Sequence, residues 1–220
     1  MNVFVISLDN EIGKRRRDQL NYEYTWWKGT SGADVSDFYR KQMKFYPTAS
    51  KENRNGKLGC FYTFIQLFQH IFENKLDNVV ILEDDCILTH EYYLEDLPDE
   101  PCYLNGQFFN PFVTKQRIGW VNDFVKNKKF KPGVNEIDFA QFKILGMLGI
   151  WFPHWYQVEE IYAEIMISTR FKAIDNMLAD LQLIKLFYYP AIYLHEDNGI
   201  SNINNNKNYR GQLIINYEKY

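Results

Sequence analysis

Asn78-Val79-Val80-Ile81-Leu82-Glu83-Asp84-Asp85-Cys86-Ile87-Leu88 is the stretch that decides the fold class. Its first half is an unbroken apolar run rich in β-branched residues, the pattern of a short strand buried on both faces. The run ends in consecutive acids, so the strand delivers charge to the rim of a sheet. Immediately upstream, Phe61, Phe64, Ile65, Phe68, Ile71 and Phe72 recur at the spacing of one helix face. They predict a helix from Gly59 to about Asn74-Lys75. A second strand of the same kind, Val3 to Leu8, closes on Asp9-Asn10, and a basic helix start, Lys14 to Leu20, follows it.

Further along, a strand is expected between Phe142 and Phe152, then a helix carrying Trp155, Val158, Ile161, Tyr162 and Ile165. Another helix begins at Ala173-Ile174-Asp175, and a late strand, Tyr188 to Leu194, ends at His195-Glu196-Asp197. Residues 25–57 read as loop with short helical pieces, residues 91–101 as an acidic surface connection, and Gly106 to Gly133 carries no clear pattern. Strands alternating with helices predict an α/β domain, residues 1–220, around a mainly parallel central sheet.

Composition narrows the function classes. The chain has 220 residues, 46% of them hydrophobic and 24% charged, enough for a core without disulfide or metal staples. A net charge of −3 argues against a general nucleic-acid binder. Cys60, Cys86 and Cys102 have no CxxC spacing, which excludes a disulfide framework and a structural zinc site. There is no apolar run of membrane-spanning length and no basic, apolar leader at Met1, so a cytoplasmic location is expected. No Walker or GxGxxG loop is present, against a P-loop ATPase or a standard nicotinamide enzyme. The aromatic content, 17%, offers flat faces for bases or sugar rings.

Ligands of parallel sheets gather at the C-terminal ends of the strands. Asp9, the Glu83-Asp84-Asp85 run and the His195-Glu196-Asp197 run all fall at such ends, which predicts one site. Adjacent carboxylates repel and raise one another's pKa. A divalent cation relieves that, and hard oxygen ligands suit Mg2+ or Mn2+ bridging a diphosphate; the alternative is a solvated acidic turn. Arg15 and Arg16 have a similar choice between donor phosphates and a solvated helix face, and Lys57 between a donor contact and a loop cation.

Val79-Val80-Ile81-Leu82-Glu83-Asp84-Asp85-Cys86 resembles the "ILEDDV" signature of glycosyltransferase family 25, which includes lipopolysaccharide-type β-galactosyltransferases and collagen galactosyltransferases. Val5-Ile6-Ser7-Leu8-Asp9 with Arg15-Arg16 resembles the family's opening "INLD…RR", and Gly32-Ala33-Asp34 its "A-hydrophobic-D" element. Gly56-Lys57-Leu58-Gly59-Cys60 resembles its "GEIGC", Ile174-Asp175 its "ID", and Tyr189-Pro190 with Ser201-Asn202-Ile203 its closing "P…SxI". The chain departs from the pattern where Lys57 replaces Glu and Thr63-Phe64 replaces Ser-His.

The resemblance implies a Rossmann-like GT-A nucleotide-sugar-binding fold, a divalent metal, a nucleotide diphosphate-sugar donor, UDP-linked by family precedent, and inverting transfer to a glycan or other hydroxyl acceptor. Under it, Glu83, Asp85 and His195 are the expected metal ligands, with Asp84 acting through the ribose or a metal-bound water. Ser7, Leu8, Asp9, Arg15, Arg16 and Lys57 are the expected nucleotide and donor contacts, and Asp175 the catalytic base, with Glu196 and Asp197 in reserve. Two other readings use the same residues: a metal-dependent phosphohydrolase or nucleotidyltransferase, and a non-catalytic nucleotide-sugar-binding module.

Overall fold

A computed structural model of the chain describes residues 1–45, 49–89, 91–109 and 127–195. Its first half runs β1 (Asn2–Ser7), α1 (Glu11–Arg17), β2 (Thr25–Lys28), α2 (Asp37–Gln42), α3 (Lys51–Glu73), β3 (Val79–Glu83) and β4 (Cys86–Leu88). The remainder is β5 (Cys102–Phe109), β6 (Gly133–Glu136), β7 (Lys143–Phe152), α4 (Trp155–Met166), α5 (Ile174–Asp180), β8 (Leu186–Tyr189) and β9 (Tyr193–His195). None of the described helices is long and apolar enough to cross a membrane.

Seven strands form one sheet in the order β2-β1-β3-β7-β5-β8-β6, and β4 pairs with β9 in a small second sheet. β1 is parallel to both β2 and β3. Parallel neighbours need a crossover, and α1 supplies it between β1 and β2, α2 and α3 between β2 and β3. This half carries the Rossmann-like character of the molecule, consistent with the GT-A expectation. β5 and β8 are also parallel, whereas β7 runs against β3 and β5, and β6 against β8. The sheet is therefore mixed, because an apolar run such as β7 carries no mark of its direction. β7 lies between β3 and β5, so residues beyond 137 complete the same sheet as the N-terminal strands.

The pleat divides the core in two. Phe4, Val79, Ile81, Ile150 and Phe152 face α3 and α4, where they meet Phe61, Phe64, Phe68, Val158 and Ile165. Val5, Val80, Leu82 and Trp151 face the other way, against Cys86, Leu104, Ile192 and Tyr193. Full burial of each such side chain contributes about 1.5–3 kcal/mol.

Several elements differ from the sequence expectation. α3 begins at Lys51, well before Gly59, because the Ser50 hydroxyl caps it by accepting the Asn53 N–H at 3.2 Å. Two glycines let the chain pack closely here. A Cβ on Gly59 would lie 2.4 Å from the Thr30 carbonyl oxygen, and one on Gly32 1.9 Å from that of Asn55. The loop after β2 thus presses directly on α3. Its Thr30 N–H donates to the Thr63 hydroxyl (2.8 Å), which itself donates to the Gly59 carbonyl (2.7 Å). β2 arises in a stretch read as loop, and β5 runs into the region from Gly106 that carries no clear pattern. The expected Tyr188–Leu194 strand is two strands with Pro190 between them, a residue with no N–H for a ladder.

Gly59→Ala tests the close crossing. Overpacking against backbone costs about 1–3 kcal/mol, more than the ~1 kcal/mol of helix propensity that alanine gains. A lower melting temperature is expected in thermal denaturation; an unchanged or higher one would show that the loop yields freely.

Candidate functional site

The parallel register sets the ends of β1 and β3 level, with Ile6 opposite Glu83. Ser7 then stands beside the acids that follow β3. Its hydroxyl donates to Asp84 Oδ2 at 2.6 Å. Asp84 Oδ1 accepts from Arg16 Nη1 at 2.8 Å, and the same nitrogen lies 3.5 Å from Asp85 Oδ2. The side chains of Arg16, Asp84 and Asp85 are 7%, 7% and 10% exposed, so this is a buried charge network.

α1 brings Arg16 there. Asn10 caps the helix by accepting the Gly13 N–H at 2.8 Å, which fixes its phase. Gly13 and Arg16 are buried, Arg15 is exposed. Gly13 allows the approach, since a Cβ there would lie 2.2 Å from Leu8 O and 2.6 Å from Ser7 Oγ. Arg17 follows Arg16 inward: its Nη1 donates to Ser7 Oγ (2.6 Å) and Leu8 O (3.0 Å). Its guanidinium lies 3.9 Å from the centroid of the Trp26 ring, a cation–π stack. Trp26 Nε1 donates to Ser7 O at 3.1 Å.

Burial opposes the Arg16 charge, but Asp85 and Asp84 outweigh it and hold its pKa up. For Asp84, burial wins over the Ser7 and Arg16 hydrogen bonds and keeps the carboxyl above its ordinary range. The network is held together at an electrostatic cost.

Glu83 turns the other way. It continues the alternation of Ile81, toward α3, and raises the pKa of Cys60, whose thiol burial already pushes well up. Asp175 acts on Cys60 in the same sense. Asp175 is the second residue of α5, after an Ala173 N-cap. Its Oδ1 accepts from the Asn176 backbone N–H (2.7 Å) and side-chain amide (2.8 Å), and its Oδ2 from the Gly146 N–H of β7 (3.2 Å). The carboxylate is thereby fixed in orientation between helix and sheet. Lys57 lies three residues before Cys60 on α3, and so on nearly the same side.

The structure thus brings together Ser7, Leu8, Arg16, Asp84 and Asp85 on one side of the strand ends; Glu83 faces α3, and Asp175 stands where α5 meets β7. Asp9, at the same strand ends, is exposed and paired with Lys28, the register partner of Ser7, at 2.8 Å. Arg15 faces solvent. The His195 side chain, Glu196 and Asp197 lie outside the described residues. Arg17 and Trp26 are the participants that the sequence reading passed over; the Asn10 cap with i, i+3 and i+4 spacing from Gly13 was the signal available for Arg16 and Arg17.

Among the described residues no group of three or more His, Cys, Asp or Glu converges as a metal-binding set. Asp84 spends both oxygens inward. That leaves Glu83 and Asp85 at this strand end. A Mg2+-type ion keeps several waters and takes only one or two carboxylates beside substrate phosphates; Asp85, on the Arg16 side, is a carboxylate of that kind, whereas Glu83 faces α3.

Asp84→Ala would remove the nearer of the two acids that pair with the buried Arg16. A loss of about 3–5 kcal/mol is expected, read as a shifted urea midpoint. Asp9→Ala, which removes an exposed pair, should change stability by less than ~1 kcal/mol. Equal effects would mean that burial does not separate the two pairs.

A comparison with curated proteins finds no match. The family model described as "Glycosyltransferase family 25 (LPS biosynthesis protein)" matches residues 1–137. The matched span takes in β1, α1, the Gly32 and Gly59 crossing and the acids after β3, and ends before Asp175 and His195. With well over half its length matched, this chain belongs to glycosyltransferase family 25.

Proposed function

We propose that the chain transfers a sugar from a nucleotide diphosphate-sugar, UDP-linked, to a hydroxyl of a glycan or similar acceptor, with inversion at the anomeric carbon, as one domain over residues 1–220. The observation that supports this most is the pairing of the β1 and β3 ends, which puts Ser7, Arg16, Asp84 and Asp85 in one buried network at the rim of the sheet.

In this reading the donor lies across the ends of β1 and β3. The backbone at Ser7-Leu8 and the Arg17–Trp26 stack border the nucleotide. A divalent cation, Mn2+ or Mg2+, would be held by Asp85, with Glu83 and His195 as the further ligands proposed for it, and would supply positive charge for the departing diphosphate. The acceptor oxygen attacks the anomeric carbon from the face opposite the diphosphate. The new C–O bond forms as the old one breaks, and its electron pair leaves with the diphosphate. The acceptor proton passes to Asp175, whose carboxylate is oriented by the Gly146 and Asn176 N–H groups. Lys57, on nearly the same side of α3 as Cys60, lies toward the donor sugar in this arrangement.

Asp175→Asn keeps an acceptor oxygen for those N–H groups and removes the base. Transfer should fall roughly a hundredfold or more, with UDP affinity and melting temperature nearly unchanged. A variant that melts early yet turns over normally would make Asp175 only a strut between α5 and β7. Asp85→Ala should lose Mn2+-dependent UDP binding in calorimetry; undiminished binding would remove Asp85 from the site. Release of free phosphate or pyrophosphate by the wild-type protein, in place of sugar transfer, would count against a transferase mechanism.

A further inference from the structure

We propose that Arg16 is the built-in counter-ion of the acidic cluster, and that a divalent cation must compete with it for Asp85. The inference rests on the reading of Asp85 as a metal ligand, but concerns a residue of the chain itself.

The contacts of Arg16 with Asp84 and with Asp85 are unequal. Its bond to Asp84 is short, 2.8 Å, and Asp84 is held from its other oxygen by Ser7 at 2.6 Å. Its approach to Asp85 is long, 3.5 Å. Of the two, the guanidinium's hold on Asp84 is the tighter and its hold on Asp85 the weaker. All three charged groups are buried, so their interactions are poorly screened. A dication arriving at Asp85 meets the guanidinium across a distance of a few ångströms, and like charge repels it. Arg16 therefore does two opposing things. It keeps Asp84 and Asp85 assembled when no metal is bound, and it weakens the metal's hold. A metal bound weakly until a diphosphate adds its negative charge is the expected result, which ties cation binding to donor binding.

Arg16→Met separates this from a purely structural role, because a structural role predicts no change in cation affinity. With the guanidinium gone, the metal-free protein should melt roughly 6 °C or more below wild type, as an uncompensated buried charge demands. Mn2+, followed by electron paramagnetic resonance without nucleotide, should bind about tenfold more tightly than to wild type, and should restore much of the lost melting temperature by linkage. Arg16→Lys keeps the charge on a single compact head that cannot span both carboxylates; its Mn2+ affinity should fall between the two.

If Arg16→Met melts early and Mn2+ binds it no more tightly than wild type, the competition is overturned while the metal reading stands. If Mn2+ binds neither protein, with or without UDP, both are overturned. Should Arg16→Met fail to fold even in Mn2+, Arg16→Lys decides, and a wild-type Mn2+ affinity in it overturns the proposal.

Discussion

The ion pair between Arg16 and Asp84 is the constraint on which the charged rim of the sheet depends. Three elements meet there: α1 brings the guanidinium, β3 the carboxylate, and β1 the Ser7 hydroxyl that holds the other carboxylate oxygen. A buried pair is not in itself a large source of stability, because desolvating two charges consumes most of their attraction. Its leverage lies in the alternatives. A register slip of β1 against β3, or a rotation of α1, would strand a charge away from water, and each such state is far costlier than the paired one. The pair selects one arrangement of α1 on the sheet.

That arrangement divides the acidic run by direction. Glu83, in phase with Ile81, belongs to the face packed by α3, and its charge is felt at Cys60. Asp84, in phase with Leu82, belongs to the face covered by α1. Asp85 keeps company with Arg16 and also contributes to the raised pKa of Tyr22 and Cys86. Three neighbours in sequence thus have three environments. Adjacent carboxylates therefore need not behave as one cluster: the fold sets them in different environments and pairs Asp84 and Asp85 with a cation of its own.

What the sequence revealed follows from what local pattern can encode. β1, β3 and β7 are dense apolar runs, and α3 and α4 show clear helical spacing, so the α/β class and the strand-end position of the acids were legible. β2, Thr25-Trp26-Trp27-Lys28, is a four-residue edge strand with polar ends, too short for a periodic signal. β5 contains Asn105-Gly106 and two register shifts against β7, so its alternation is broken where a reader looks for it. The arginines at positions 15–17 were visible as a group, but their division into exposed and buried members depends on helix phase. Arg16 and Asp84 are 68 residues apart, and no local pattern announces such a pairing. The role of Asp175 at the β7 crossing was equally hidden, since its Gly146 partner is 29 residues upstream.

The departures from the family pattern can be placed on the same physical footing. Thr63 retains a hydroxyl where the family has serine, and that hydroxyl accepts the Thr30 N–H while donating back to Gly59. It holds the loop after β2 against α3 at the point where Gly32 and Gly59 let two backbones touch. Phe64, in place of histidine, is fully buried and packs edge-on against Phe68. A charged or hydrogen-bonding ring in that shell would need a partner that its apolar neighbours do not offer. The exchange at 63–64 is therefore accounted for within the layer that packs α3 onto the sheet. The rim at the ends of β1 and β3 is built by other residues, with Ser7, Arg16 and Asp84 satisfying one another, so divergence in the packing layer leaves the electrostatics of that rim to its own partners.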